Sequence, residues 1–141
     1  MSFAIDVNIL LYTSDEVSPF ASRARAFLDD CAAGREVLCV AWTTVMSYLR
    51  IATHPAIFAS PLAPDEAMRN IEALLHLPHV RRLSEEQGVW DVYRTVTHRR
   101  AIRGNLVPDA HLATVLVCVL RSSCRRRGPG VRSWKRPEAR R

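Results

Sequence analysis

No run of eighteen apolar residues occurs in this chain of 141 residues, which argues against a membrane-spanning helix. The N-terminus enters an apolar segment at once, without the basic stretch and small-residue cleavage site of an export signal, so a cytoplasmic protein is expected. The four cysteines, Cys31, Cys39, Cys118 and Cys124, show neither CxxC nor Cys/His ligand spacing, which argues against a disulfide framework and a zinc site. Cys31 and Cys39 are expected to be reduced packing or surface residues, since free cysteine behaves as a small hydrophobe. Internal repeats are absent, as are Ser, Cys or Lys nucleophile motifs. No acid lies between Glu36 and Asp65, and Glu138 is the only acid after Asp109.

What is present is unevenly distributed. Residues 1–116 carry 11 Arg against 13 Asp and Glu, net −2, whereas residues 117–141 carry 9 Arg and Lys against one Glu, net +8. The body is therefore close to neutral, and the tail supplies all of the +6 net charge. Such a tail can bind RNA through counterion release without sequence selectivity, or can simply be a solvated end.

The length and the 48% hydrophobic content suit one domain. Residues 3–5 read as a buried strand, followed by a short helix or turn at 7–12. Ser18-Pro19 opens a helix through Phe20, Ala24, Phe27 and Leu28 that stops at Gly34. The run 37–40 reads as a strand buried on both faces. A helix over 43–53 carries Val45, Tyr48, Leu49 and Ala52 on one stripe and ends at His54-Pro55. Pro64-Asp65-Glu66 starts another helix, with Ile71, Leu74 and Leu75 facing the core. A third strand is expected at 80–83, and Ser84-Glu85-Glu86-Gln87 reads as a capping box for a helix with Val89, Trp90, Tyr93 and Val96. Pro108 then starts the last helix, through Leu116 and as far as about 122. Alternating strands and helices predict an α/β domain with a mostly parallel central sheet flanked by helices.

Two acids stand out in this plan. Asp6 ends the first strand, where open α/β sheets place their ligand crevice, and Asn8 follows two residues later. Asp109 falls in the first turn of the last helix, where the helix dipole favours a carboxylate. Right-handed crossovers would bring the two to one edge of the sheet, and two carboxylates there would make a hard-cation site. Each acid also has a plainer reading: Asp6 as the cap of the helix after the strand, Asp109 as an ordinary helix-start acid. Asn8 would orient Asp6 or close a turn with its own side chain.

The segments Asp6-Val7-Asn8-Ile9-Leu10-Leu11-Tyr12, Leu49-Arg50-Ile51-Ala52-Thr53-His54-Pro55 and Gly104-Asn105-Leu106-Val107-Pro108-Asp109-Ala110, in this order and spacing, resemble the PIN-domain ribonucleases, in particular the VapC toxins of bacterial toxin–antitoxin pairs. The likeness covers residues 2–116. It implies a PIN-like fold, an acidic pocket binding Mg²⁺ or Mn²⁺, endonucleolytic cleavage of RNA, inhibition by a cognate antitoxin, and a homodimer. It also implies Asp6 and Asp109 as metal ligands and catalytic residues.

The chain departs from that pattern twice. Family members usually carry a further acid in the helix corresponding to 43–53, and another near the C-terminus ahead of a final strand; neither is here. After Leu116 the composition turns abruptly to Arg, Gly, Ser and Pro, as an out-of-frame reading of a GC-rich gene would produce. Hence 1–116 is expected to be the PIN-like domain, and 117–141 an atypical Arg-rich tail, frameshifted or disordered.

Mg²⁺ is commonly held by one or two carboxylates plus waters and substrate phosphate, so Asp6 and Asp109 meet the minimum for one ion. A second ion, roughly 4 Å away in two-metal enzymes, needs more acids than remain. Arg103, with Arg99 and Arg100, and Asn105 are further candidates for substrate contact. For His111 a structural or solvated role is expected ahead of substrate contact. Trp90 and Tyr93 are expected in the core, and Asp91 on a solvated helix face. The competing reading from another class is a catalytically impaired protein that binds and titrates its antitoxin without cutting RNA.

Overall fold

Val37-Leu38-Cys39-Val40-Ala41 can be buried on both faces at once, and this run forms the middle of the sheet. A computed structural model describes residues 2–34, 36–58, 60–99 and 101–126. The elements run β1 (Ser2–Ala4), α1 (Val7–Ser14), α2 (Ala21–Ala33), β2 (Val37–Ala41), α3 (Trp42–Ala52), α4 (Pro64–Leu75), β3 (Val80–Leu83), α5 (Val89–Thr97) and α6 (Leu106–Arg126). The strands lie in the order β1-β2-β3 and both pairings are parallel, with Ala4 opposite Cys39 and Ala41 opposite Leu83. The α/β expectation with a parallel sheet is borne out.

The strand period of two sorts β2 cleanly. Leu38 and Val40, both without exposed surface, enter a core with Ile5, Leu10, Val45, Tyr48, Ala52, Ala67 and Ile71. Cys39 and Ala41 turn to the other face, where Leu83 and Val115 make a smaller cluster flanked by Leu112, Leu116 and Val119 of α6. Tyr48 is 1% exposed, and its phenol is satisfied there: its oxygen lies 2.7 Å from Ser14 Oγ and accepts from Asn70 Nδ2 at 3.1 Å. A buried Tyr with both neighbours in place ties α1, α3 and α4 together. On the β3 edge Arg81 and Arg82 are exposed, a charge pattern that discourages further strand pairing.

Several boundaries differ from expectation for identifiable reasons. Pro19 and Phe20 form a turn before α2, closed by the Ala21 N–H to the Ser18 carbonyl at 3.1 Å. Gly34 ends α2 at an ordinary negative φ; its role is space, because a Cβ there would meet the Asp30 carbonyl oxygen at 3.1 Å. The capping box at 84–87 does not start α5. Gly88 adopts φ 86° and is the N-cap, so the helix begins four residues later than the box implies. α6 continues to Arg126, past the 116 and 122 limits expected for the domain, with Cys118 7% exposed. Residues 127–141, and with them most of the basic tail, lie outside the described residues. No helix among the described residues is long and apolar enough to cross a membrane.

Candidate functional site

Asp6 owes its position to the end of β1. Ile5, 3% exposed, donates its N–H to the Cys39 carbonyl at 3.4 Å, and the chain then leaves the sheet with Asp6 still extended (φ −87°, ψ 161°). Asp6 is thereby the N-cap residue of α1, and its carbonyl accepts from the Ile9 N–H at 3.3 Å. Its side chain makes no cap hydrogen bond. Instead Oδ2 accepts from Asn8 Nδ2 at 2.6 Å. The carboxylate is half-buried and held by a neutral amide, which gives it a set direction at the carboxyl end of a strand.

Asp109 sits differently. Gly104 turns the chain at φ 56°, a conformation that favours glycine, and the Leu106 and Val107 N–H groups then bond the Arg103 and Gly104 carbonyls at 3.2 and 3.1 Å. α6 follows, with exposed Asp109 in its first turn. The side chain borders a crevice of about 370 Å³ between α5 and α6, with Val96, Thr97, Ile102, Leu106, Ala110 and Ala113. Asp6 does not border that crevice. Among the described residues no group of three or more His, Cys, Asp or Glu is arranged to hold a metal ion. The structure thus joins Asp6 to Asn8 and sets Asp109 in the first turn of α6. Arg103 and Asn105 are exposed in the turn leading to α6; Arg99 lines a shallow hollow with Asp91 and His98, and Arg100 lies outside the described residues.

Trp90 corrects its expectation. It is 65% exposed and stacks on Tyr93 with ring centroids 5.7 Å apart and planes at 9°, because α5 has no fully buried residue and lies outermost over α6. Its helical spacing described an amphipathic face but not how shallowly that face is covered.

One constellation was missed in the sequence. Glu85, released from the capping role, meets His111 Nε2 with Oε1 at 2.8 Å, linking the end of β3 to α6. An ionised carboxylate only accepts, so Nε2 carries the hydrogen. The signal was divided between two motifs 26 residues apart, and each had a local explanation. Cys39 and Cys31 are free thiols, both raised above the ordinary value. Burial raises Cys39 against a weaker opposing pull from Arg81; burial also raises Cys31, aided by Asp30 and Glu36.

Comparison with known proteins gives these residues a context. No protein-family model matches the chain. Ribonuclease VapC48 of Mycobacterium tuberculosis is 40% identical over 116 residues, covering 82% of this chain and 80% of that protein. Ribonuclease VapC43 of the same organism is 28% identical over 109 residues, 77% of this chain and 74% of the relative. Ribonuclease VapC37 is 28% identical over 113 residues, 80% and 78% of the two chains. With a 40% identical relative matched over four fifths of its length, and the three motifs in order on a parallel α/β fold, the chain belongs to the VapC family of PIN-domain ribonucleases.

Proposed function

We propose that this chain is the toxin of a type II toxin–antitoxin pair, an Mg²⁺- or Mn²⁺-dependent endoribonuclease that acts on RNA as a homodimer and is restrained by a cognate antitoxin. The observation that carries this reading is the relationship to Ribonuclease VapC48 across 82% of the chain, together with a positioned, half-buried Asp6 at the carboxyl end of β1. Asp6 and Asp109 are the residues that would hold the ion. Both are hard oxygen donors, as Mg²⁺ requires, and one or two carboxylates meet its protein share of ligands. Bound there, the ion would supply charge neutralisation at the phosphate and a more acidic water. Asn8 keeps the Asp6 carboxylate aimed while substrate enters, and Arg103 and Asn105, both exposed beside Asp109, are placed to meet the RNA backbone.

One observation favours the second reading, a chain that titrates antitoxin without cutting: no third acid joins Asp6 or Asp109 among the described residues. Inducible expression in a bacterial host separates the two. Growth arrest by the wild-type chain that disappears with Asp6→Asn supports the ribonuclease. Arrest that survives Asp6→Asn, or loss of the protection that antitoxin gives a host carrying a related toxin, supports titration.

A further inference from the structure

The carboxyl ends of β2 and β3 frame a cavity of about 320 Å³ on the face opposite the main core. Ala41, Leu83 and Val115 make its apolar floor. Trp42, the first residue of α3, is 49% exposed and forms an aromatic wall. Thr43, Ser84 and the hydrogen-bonded Glu85–His111 pair supply the polar rim. Counted on from Ala4 opposite Cys39, the residue level with Ala41 is Asp6, just past the end of β1. A half-exposed aromatic ring thus stands beside a small apolar floor and a hydrogen-bonded carboxylate.

We infer that this cavity binds one unpaired nucleobase of the RNA, stacked on Trp42, and that Glu85 selects bases bearing an amino group over uracil. The inference rests on the ribonuclease reading for its choice of ligand. Stacking accounts for the aromatic wall, since every base offers a π-face to an exposed ring. The selectivity follows from donor count. Ionised Glu85 can only accept hydrogen bonds, and adenine, cytosine and guanine each present an amino group to it. Uracil has no exocyclic amino group, and a carboxylate that accepts from its one N–H also meets the two carbonyl oxygens flanking it. His111 acts as a positioning residue: its Nε2–H holds Glu85 Oε1 and leaves Oε2 for the base.

The test uses the full chain and fluorescent oligonucleotides of about ten adenosines, cytidines or uridines. Anisotropy is measured in EDTA at about 0.3 M salt, where the tail's counterion-release contribution is weak. The expected order is adenosine and cytidine tighter than uridine. Trp42→Ala should weaken binding of the adenosine oligomer about fivefold or more, the value of one stacked base, with Trp42→Phe restoring most of it. Glu85→Gln, which can donate as well as accept, should erase the preference with little change in mean affinity. His111→Ala should blunt the preference alone. Circular dichroism of each variant guards against misfolding. Binding that is absent, indifferent to base, or unchanged by Trp42→Ala and Glu85→Gln overturns the inference. Cleavage assayed on the same preparations keeps the two readings apart. Cutting with no base preference sinks the pocket and leaves the ribonuclease, whereas Trp42-dependent binding without cutting does the reverse.

Discussion

On one face of the sheet Leu38 and Val40 disappear into a core shared with α1, α3 and α4, while on the other Cys39 and Ala41 meet little more than Leu83 and one stripe of α6. The two candidate acids differ as well. Asp6 stands in the chain between Ile5 and Leu10, 3% and 5% exposed, and is held by Asn8. Asp109 stands on α6 and is exposed. A carboxylate hydrogen-bonded to a neighbouring side chain is aimed before any ligand arrives; an exposed one without such a bond depends on substrate, cation or partner to fix it.

Stability measurements can break that comparison. Leu38→Ala should cost about 2–5 kcal/mol, as expected for a large-to-small change in a closed core, seen as a lowered urea midpoint. Val115→Ala on the shallow face should cost less, about 1–2 kcal/mol for two buried methyl groups. Equal losses would mean the faces are energetically alike. The acids can be compared next. If Asp6 is held in place by its amide neighbour, Asn8→Ala should lower kcat/KM for RNA several-fold, about 1 kcal/mol, without moving the urea midpoint. No change in kcat/KM would remove the orienting role.

The smallest effect is on Cys39. Because burial raises its thiol, iodoacetamide should label it slowly at pH 8 in the folded chain and rapidly in urea. The sign for stability follows from the same shift. The unfolded thiol ionises near 8.5, so its contribution to folding is complete below that pH and declines as pH rises toward the raised folded value. Rapid labelling of folded protein at pH 8 would show that the shallow face opens readily.

Much of this was legible beforehand where pattern and burial coincide. Val37 to Ala41, the α3 stripe of Val45, Tyr48 and Ala52, and the Pro64 helix start all follow from periodicity and end signals. The likeness to VapC toxins rested on motif order and was borne out by the relatives. Legibility failed where a local signal had a tertiary competitor. Ser84 to Gln87 satisfies a capping box, yet Gly88 takes the cap and Glu85 pairs with His111 across 26 residues. Trp90 has core spacing on a helix that lies outermost. The hydroxyl–amide bonds around Tyr48 join three helices, and no spacing within one helix encodes them.

The most direct test of the account is cleavage of a total-RNA pool by the purified full chain, with Mg²⁺ or Mn²⁺ and with EDTA, beside Asp6→Asn and Asp109→Asn. The account predicts cutting that needs the cation and falls by about a hundredfold or more when either carboxylate becomes an amide, as expected when a metal-bearing ligand loses its charge. Cutting that persists in EDTA or in both variants, or no cutting by folded wild type, would contradict it.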